Sequence, residues 1–416
     1  MDSPAPLDAL DIVGPDTYAA NGYPHAAWRR LRRESPVHWF DLPGGVGFWA
    51  VTRRSDIVWI SKQPKRFLNA PRLAIFEEGR PPEGEREFAR HLLNMDPPEH
   101  SKYRREASSW FTPRAIQRRR CEVERITREL LGEMAGDGEV READFVSDLA
   151  APLTLGVLAD MLGVPREDWR LMFQWTNQIA GSADPEFQDT SETVETTVER
   201  ARLGLFQYFM TLAEKRRSEP RDDMVSVLAN AKVDGEPMPT LELLSYYLLL
   251  VVAGNETTRN AASGGLLALI ENPAELAKLR SDPTLVDSAV EEIVRWTAPV
   301  IQFCRTPVED VEIRGVKIRA GESICLFYPS ANRDEDVFDD PDTFRVDRSP
   351  NPHLGFGIGE HFCLGANLAR LELRVIFSEL SRRLDEIELA GPFERMRSSF
   401  LGGVKRMPIR YRLRPA

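Results

Sequence analysis

The sequence predicts a mainly α-helical protein with a smaller β-rich region. Apolar residues recur at helical spacing over most of residues 99–300 and again over 364–384. Short alternating runs separated by Gly-containing turns predict strands in three regions, about 37–60, 300–330 and 398–413. No linker rich in Pro, Gly or Ser divides the 416 residues and no internal repeat is present, so we expect one domain over 1–416.

Individual elements follow from the same patterns. A helix is expected from His25 to Glu34, followed by strands at 37–40 and 48–52 that a turn at 41–45 joins. A last hairpin is expected from Phe400 to Leu413 around Gly402-Gly403. The helical body is predicted to contain Thr112–Ala135, Asp148–Leu162, Glu195–Arg216, Thr240–Glu271 and Leu285–Thr297, and the later strands to be 311–313, 316–318 and 323–328.

The helix from Thr240 to Glu271 is the longest that the sequence predicts. Thr240 is a candidate N-cap after Pro239, and Asn272-Pro273 ends the helix. At a rise of roughly 1.5 Å per residue it would be about 45 Å long and would cross the whole molecule. Its apolar run is too short to span a bilayer, so we expect the middle of a buried helix.

Composition excludes several classes of protein. The net charge of −11 argues against a nucleic-acid partner, which needs a basic surface. The four cysteines, Cys121, Cys304, Cys325 and Cys363, are far apart, which excludes a recognisable zinc-ligand spacing and suits a reducing cytoplasm. Residues 1–6 are neither basic nor apolar, so we expect no signal peptide, no membrane anchor and a soluble cytoplasmic protein.

Cys363 follows a glycine-rich run and immediately precedes an apolar, basic helix. The positive end of that helix and free N–H groups near Leu364 and Gly365 favour a thiolate. Three glycines let the backbone approach a flat surface closely. A thiolate held in this way suits an axial ligand of haem iron. The alternative is a buried structural cysteine in a glycine-rich turn.

The run from 356 to 365 resembles the haem-ligand signature of the cytochrome P450 family. Its fixed positions are matched by Phe356, Gly357, Gly359, Cys363 and Gly365. The resemblance extends from about Asp96 to the end of the chain. It implies the P450 fold, with haem b between the long central helix and the loop that carries Cys363.

The middle of the long helix supports this resemblance. Gly254 and the polar residues after it are costly in a leucine-rich helix, and they predict a kinked, locally opened turn. The alternative is an ordinary helix cap at a break. By resemblance Ala253 contacts the haem, Gly254 makes space for dioxygen, Glu256 relays protons from solvent and Thr257 hydrogen-bonds the reacting oxygen.

Two further groups of residues acquire roles from the resemblance. His100 and Arg104 lie one helical turn apart and can clamp a carboxylate. The resemblance assigns them to the haem propionates, together with Arg305 and His361. It assigns a structural role to Glu292, Arg295 and Arg348, which would fix the loop that carries Cys363.

Substrate residues are assigned by analogy and indicate a lipophilic molecule. Residues 253–260 and 403–408 resemble bacterial members that act on steroid side chains, terpenoids and branched lipids. Residues 73–76, Trp175 and Ile179 are further candidates in the cavity wall or in a lid. The main lining candidates are Val252, Val300, Ile301, Phe303, Phe400 and Leu401.

The resemblance implies a monooxygenase that inserts one oxygen atom from O2 into a C–H bond. The haem domain leaves no room for a flavin or iron–sulfur module, so NAD(P)H would deliver electrons through a separate ferredoxin and ferredoxin reductase. A peroxide-driven haem enzyme and a non-catalytic haem sensor or carrier are the alternatives. Basic residues expected near the thiolate, which would attract an acidic ferredoxin, are Lys102, Arg105, Arg114, Arg118, Arg119, Arg120, Arg370 and Arg374.

Overall fold

The computed structural model describes residues 6–42, 47–75, 90–182 and 184–415, and within these ranges it is mainly helical. The α-helices are α1 (Pro15–Asn21), α2 (His25–Glu34), α3 (Arg54–Ser61), α4 (Glu99–Ser108), α5 (Pro113–Arg118), α6 (Arg120–Ala135), α7 (Ala151–Leu162), α8 (Trp169–Ala180), α9 (Val194–Ser218), α10 (Met224–Ala229), α11 (Thr240–Glu271), α12 (Pro273–Ser281), α13 (Val286–Thr297), α14 (Tyr328–Ala331) and α15 (Ala366–Arg383).

The strands form small sheets around this helical body. They are β1 (Val37–Phe40), β2 (Phe48–Val51), β3 (Phe67–Leu68), β4 (Val140–Asp144), β5 (Lys232–Val233), β6 (Glu236–Pro237), β7 (Gln302–Pro307), β8 (Val311–Ile313), β9 (Val316–Ile318), β10 (Ile324–Phe327), β11 (Leu384–Leu389), β12 (Glu394–Arg395), β13 (Val404–Arg406) and β14 (Pro408–Leu413). The predicted fold class, helical with a smaller β region, is confirmed.

The largest sheet has the order β1-β2-β10-β7-β3. Strands β2 and β10 are parallel, and the other neighbours are antiparallel. Because side chains alternate across a strand, one face of the sheet packs on a cluster that includes Trp28 and Phe327, and the other on a cluster with Ile57 and Phe67. Strand β7 therefore carries residues of both clusters.

Helix α11 lies at the centre of the helical body and contacts α7, α8, α9, α13 and α15. It is one uninterrupted helix from Thr240 to Glu271, with the predicted bounds, and Asn272 ends it. The N-cap prediction was wrong. Pro239 occupies the cap position in extended backbone, and no side chain caps the helix, because the first helical residue is already Thr240.

The predicted hairpin over 400–413 was also wrong. Strand β13 pairs with β12, whereas β14 lies between β11 and β4. The chain changes sheets at Met407, whose N–H donates to Asp144 Oδ2 (2.9 Å) and whose carbonyl accepts from Phe145 N (3.0 Å). Alternation predicts strands, but it does not specify their partners.

Four smaller differences concern where individual elements lie. Helix α3 occupies the end of the predicted β-rich segment 37–60, and β4 lies inside the predicted helical body. The helix predicted over Thr112–Ala135 consists of two helices that meet at Arg119. Residues 146–150 form a π-helical turn that leads into α7.

Glu292 on α13 joins three parts of the chain. Its carboxylate accepts hydrogen bonds from Arg295 Nε (2.7 Å), Arg348 Nε (3.1 Å), the Arg345 N–H (2.9 Å) and Asn351 Nδ2 (3.1 Å). Burial alone would raise the pKa of Glu292, but the hydrogen bonds and charge of Arg295 hold it below its ordinary value.

The two arginines extend this contact into the loop that precedes the Cys363 segment. Arg295 Nη1 donates to the carbonyls of Asn332 (2.9 Å) and Pro341 (2.8 Å). Arg348 Nη1 donates to the Asp339 carbonyl (2.6 Å). Since Glu292, Arg295 and Arg348 are at most 5% exposed, this trio fixes the backbone from 332 to 351 from inside the protein.

Glu292→Ala should therefore destabilise the fold strongly. The substitution leaves two guanidinium groups buried without their carboxylate, a change that typically costs about 3–5 kcal/mol. Urea unfolding followed by circular dichroism measures the effect. Glu34→Ala, which removes the partner of Arg30 at the protein surface, is the matched control and should change the free energy of unfolding by less than about 1 kcal/mol. Equal effects of the two substitutions would contradict the structural role of the trio.

Candidate active site

A cavity of about 220 Å³ lies between α11 and the loop that leads into α15. Cys363 lines one wall, and Ala253, Gly254 and Thr257 of α11 line the facing wall. Most of the lining is apolar, and the charged and imidazole groups are few. The structure thus brings together the two motifs that the sequence analysis singled out, which are more than 100 residues apart in the chain.

The loop before Cys363 is held by its own backbone. The Cys363 N–H donates to the Phe356 carbonyl, and the Gly357 N–H donates to the Leu354 carbonyl, each at 2.9 Å. Gly357 and Gly359 have φ values of 67° and 82°, which favour glycine. A Cβ at Gly359 would also overlap the carbonyl oxygen of Ser61 at the end of α3. Both positions therefore require glycine for their backbone conformation, and Gly359 requires it for lack of space as well.

The sulfur of Cys363 faces opposing electrostatic influences. Burial raises the pKa of the thiol, whereas backbone N–H groups of Gly365 and Ala366 and the positive charges of Arg104 and Arg370 lower it. The sequence had predicted N–H donors near Leu364 and Gly365, so the donor set lies one residue further along. Burial prevails, so the pKa of the thiol is raised on balance, and a bound metal ion would reverse this because a coordinating thiol is deprotonated outright.

Two imidazole and two guanidinium side chains line the same cavity: His100, His361, Arg104 and Arg305. The two imidazole rings lie 4.1 Å apart between centroids. Both Nε2 atoms are buried, and neither has a hydrogen-bond partner among the described residues. Arg104 Nη2 donates to the Phe362 carbonyl (2.6 Å), and Arg305 Nη1 donates to the Cys304 carbonyl (2.7 Å), which orients both guanidinium groups.

These residues fit haem. Unpartnered imidazole nitrogens and two oriented guanidinium groups are suitable partners for a pair of propionates. Gly365 lines the cavity, and a Cβ there would meet no atom within 4 Å, so its backbone presents an open surface beside Cys363. In the described part of the chain no three His, Cys, Asp or Glu side chains form a metal site of their own. Cys363 would be the protein ligand to a porphyrin-bound iron.

Helix α11 presents its cavity face at helical spacing. The lining positions are Leu249, Leu250, Ala253, Gly254, Thr257, Thr258 and Ala261. The predicted local opening of the helix was wrong, because the helix is continuous and Thr257 Oγ1 donates to the Ala253 carbonyl (2.8 Å). A Cβ at Gly254 would lie 3.1 Å from Leu158 Cδ2. The glycine therefore permits close packing of α7 on α11 as well as widening the cavity.

Glu256 points away from this cavity and is not among its lining residues. It is 1% exposed and pairs with Arg259, which is 2% exposed. Burial raises the pKa of Glu256, and the charge of Arg259 opposes that rise. Arg259 Nη1 in turn donates to Asn177 Oδ1 on α8 (3.1 Å). The acid and the alcohol are neighbours in sequence, but they lie on different faces of α11.

Asn255 also has partners outside the cavity. Its Oδ1 accepts from Thr154 Oγ1 on α7 (3.0 Å), and its Nδ2 donates to Thr176 Oγ1 on α8 (3.2 Å). Buried polar side chains on a leucine-rich helix are tolerated when they are paired in this way. The polar run after Ala253 thus joins three helices and needs no break in the backbone.

Two of the six predicted substrate-lining residues line the cavity, namely Val300 and Phe303. Ile301 is fully buried in the cluster on the opposite face of the sheet, because side chains alternate along the chain. Phe400 packs edge-on against Phe303 with 5.5 Å between ring centroids, and Leu401 pairs with Val300. Both therefore support the wall from behind.

The remaining lining candidates also lie elsewhere. Val252, Trp175 and Ile179 pack against the hydrophobic core and are not among the lining residues. Residues 73–75 do not line the cavity either, and Phe76 lies outside the described residues. Sequence reasoning missed Leu93, Leu158, Leu249, Tyr328 and Glu372, which do line the cavity. The spacing of Leu249 from Ala253, one helical turn, could have identified it; the other four are brought in by tertiary packing.

In the predicted basic surface, some residues form ion pairs with acidic side chains and others do not. Arg105, Arg114 and Arg118 are exposed and form no ion pair within the described ranges. Asn367 Nδ2, four residues beyond Cys363, donates to the Phe111 carbonyl (2.9 Å) just before α5, so α5 lies beside the start of α15. The paired members are Lys102 with Asp234, Arg119 with Asp160, Arg120 with Glu124, Arg370 with Glu291 and Arg374 with Asp287.

Among the helices of the described ranges, none combines the length and apolar composition that crossing a bilayer requires.

Comparison with known proteins agrees with the geometry. The sequence model of the family described as cytochrome P450 matches residues 65–386. A methyl-branched lipid omega-hydroxylase of Mycobacterium tuberculosis is 41% identical over 97% of this chain and 94% of its own length. A steroid C26-monooxygenase of Mycolicibacterium smegmatis is 36% identical over 98% of this chain and 94% of its own.

A solved structure has the same fold. The Mycobacterium marinum cytochrome P450 determined in complex with pseudoionone superposes with a TM-score of 0.90 at 37% identity, covering 98% of this chain and all of that one. Family match, relatives and fold agree with a thiol that faces a central helix across a cavity fit for haem. The chain belongs to the cytochrome P450 family and is a monooxygenase of that family.

Proposed function

We propose that the protein uses haem b to insert one oxygen atom from O2 into a C–H bond at the end of a methyl-branched aliphatic chain, on a lipophilic molecule of the sterol, terpenoid or fatty acyl type. Haem with a thiolate ligand supplies the O–O cleavage chemistry when it is bound. The protein's own part is to hold the substrate, exclude water and deliver protons. The observation that carries the proposal is one cavity lined by Cys363, Thr257 and apolar side chains.

The cavity wall supports a lipophilic substrate. Phe303 extends from β7 and Val300 from the segment just before it, and Leu249 and Leu158 extend from the helices. Burying an aliphatic chain against such side chains gains roughly 0.8 kcal/mol per CH2 group. The imidazole and guanidinium groups are suited to the haem propionates, so the substrate region itself has few groups that would bind a polar molecule.

The two relatives support the position of attack. One is an omega-hydroxylase of methyl-branched lipids and the other a steroid C26-monooxygenase. C26 of a steroid is a methyl carbon at the end of a branched side chain, so both names describe reaction at the end of a branched chain. A primary C–H bond is hard to oxidise, and positioning it is the main task of the site.

Thr257 and Glu256 are assigned to proton delivery. Thr257 lines the cavity and can pass a proton from its hydroxyl to the reacting oxygen. Glu256 is the adjacent acid, although its carboxylate pairs with Arg259 on another face of α11. Delivery would require the carboxyl group to turn towards the cavity and release Arg259 for a time.

Electrons are assigned to a separate ferredoxin and its NAD(P)H-dependent reductase. Arg114 and Arg118 on α5 are exposed, form no ion pair within the described ranges and lie beside the helix that follows Cys363. On a protein with a net charge of −11, such a group attracts an acidic partner and raises its rate of association. The unpaired cysteines suit a reducing cytoplasm, where such partners are found.

Turnover assays test this proposal against its alternatives. Haem-loaded protein is screened for optical changes with a methyl-branched fatty acid, a C27 sterol, an acyclic terpenoid and a straight-chain fatty acid, and the products are then identified by mass spectrometry. We expect terminal hydroxylation of a branched substrate with NADH, ferredoxin and reductase. Product from hydrogen peroxide alone would favour a peroxide-driven enzyme, and haem binding without any product would favour a sensor or carrier.

Thr257→Ala should retain haem but release most reducing equivalents as hydrogen peroxide. The substitution removes the cavity-facing hydroxyl, and proton delivery of this kind typically contributes at least about 100-fold to the rate. The ratio of product to NADH consumed measures the loss. Thr257→Ser, which keeps the hydroxyl, should retain most of the coupling. Equal coupling in the two variants would remove the role assigned to Thr257.

Charge reversal at Arg114 and Arg118 should slow reduction by ferredoxin. We expect a decrease of about tenfold at low salt, because electrostatic steering raises association rates by roughly that factor or more. The difference should shrink as salt screens the charges. Stopped-flow reduction under carbon monoxide measures the rate. Lys317→Glu, at an exposed position on β9, is the control, and an equal effect there would argue against a specific docking surface.

A further inference from the structure

A second cavity, of about 280 Å³, opens at the surface between α6, α7 and α8. Among the described residues, none lines both this cavity and the one that contains Cys363. We call it the outer groove. Most of its larger apolar residues are only partly buried, so the groove leaves apolar surface in contact with water. These residues are Ile126, Leu130, Pro152, Leu155, Trp169 and Phe173.

The α8 side of the outer groove is a fixed wall. Trp169 and Phe173 lie one helical turn apart, so both rings line the same side of α8. The indole Nε1 of Trp169 donates to the Val164 carbonyl (3.2 Å). A Cβ at Gly156 of α7 would lie 2.7 Å from the Trp169 ring, so the glycine makes room for that ring. The groove is therefore formed before any ligand binds, as small-molecule sites usually are.

The charged residues of the rim are divided between the two sides of the groove. Glu129 and Glu133 lie on α6, whereas Arg170 lies on α8 and Arg166 just before it. Arg170 is exposed and forms no ion pair within the described ranges. Arg166 Nη1 lies 3.9 Å from Glu129 Oε2, and the same carboxyl group also pairs with Arg125. The α8 side thus carries positive charge that is not neutralised, next to the apolar wall.

An aliphatic chain with a carboxylate at one end fits this arrangement. At roughly 1.5 Å per residue, the stretch from Arg166 to Phe173 is about 10 Å long, close to an extended chain of about eight to ten carbons. The apolar walls cover the chain, and a guanidinium group binds a carboxylate through paired hydrogen bonds. A helix of a partner protein, roughly 10 Å wide with its side chains, is too wide for a cavity of about 280 Å³.

Helix α8 also contacts the central helix α11. The next turn after Phe173 contains Thr176, whose Oγ1 accepts from Asn255 Nδ2 (3.2 Å). Asn177 Oδ1 accepts from Arg259 Nη1 (3.1 Å). Thr176, Asn255 and Arg259 are each at most 2% exposed, so these contacts are shielded from water. A ligand that packs on Phe173 therefore contacts the same helix that holds α11 in place.

We propose that the outer groove binds a medium-chain aliphatic carboxylate and that the bound ligand holds α8 more firmly against α11. The carboxylate lies against Arg170, and the chain packs along Trp169 and Phe173. Binding forms no covalent bond, and the ligand is an effector because the groove is separate from the cavity with Cys363. The inference does not depend on which substrate is hydroxylated.

Calorimetry with haem-loaded protein tests the binding, after an azole that coordinates the iron has filled the reaction cavity. We expect one molecule of decanoate to bind, about fourfold more tightly than octanoate, because two more methylene groups are partly covered. 1-Decanol should bind more weakly than decanoate because it lacks the charge. No binding of decanoate to the azole-bound protein, or equal binding of decanoate and 1-decanol, would overturn the proposal.

Arg170→Glu tests the assigned position of the carboxylate. It should weaken the binding of decanoate about tenfold, because it replaces an attraction by a repulsion, and change that of 1-decanol by less than about twofold. Arg221→Glu is the matched control, since Arg221 is exposed, forms no ion pair within the described ranges and does not line the groove. Equal affinities of the two variants for decanoate would rule out a role of Arg170 and overturn the proposal.

A crystal of the azole-bound protein soaked in 10-bromodecanoate locates the ligand without any variant. We expect the anomalous signal of bromine beside Phe173, and bromine only at other places would overturn the site.

Hydrogen–deuterium exchange tests the effect on α8. Decanoate should slow amide exchange over residues 169–180 by about threefold in the azole-bound protein and in Arg221→Glu, but not in Arg170→Glu, because a firmly held helix opens less often. Exchange that decanoate leaves unchanged in all three proteins would show that the ligand does not stabilise α8, and it would overturn the effector role.

Discussion

The architecture depends on placing a reactive thiol in the interior without leaving its loop free to move. Glu292 makes this possible because one buried carboxylate pairs with both Arg295 and Arg348 and also accepts from the backbone at Arg345. Paired charges of this kind gain little in net stability, but they are very costly to separate. They specify one arrangement of the segment 332–351, and the loop with Cys363 follows directly from it.

Helix α11 combines two environments that the chemistry must keep apart. Its cavity face carries Ala253, Gly254 and Thr257, and its other face carries Glu256 and Arg259 among partners from α7 and α8. An apolar cavity favours a lipophilic substrate, whereas proton delivery requires polar groups and water. A continuous helix serves both needs because consecutive residues point in directions about 100° apart. The acid is therefore close to the alcohol without lying beside the substrate.

Sequence reasoning succeeded where the signal is local. The Cys363 loop is fixed by glycines with positive φ, and α11 is bounded by Pro239 and Asn272, so both could be read from neighbouring residues. His100 and Arg104 were found because one helical turn separates them. Sequence reasoning failed where the structure depends on contacts between segments that are far apart in the chain. The partners of β13 and β14 and the side of the wall on which Ile301 lies depend on tertiary packing.

The close approach of Gly359 to the Ser61 carbonyl joins the loop before Cys363 to a helix almost 300 residues earlier in the chain. During synthesis α3 and the N-terminal strands leave the ribosome long before Cys363 does, and a domain generally folds as a unit. The loop can close only against a surface that is already present. Haem binding should therefore occur late in the synthesis and folding of this protein. A truncation at the amino terminus would impair it, although none of the removed residues contacts the iron.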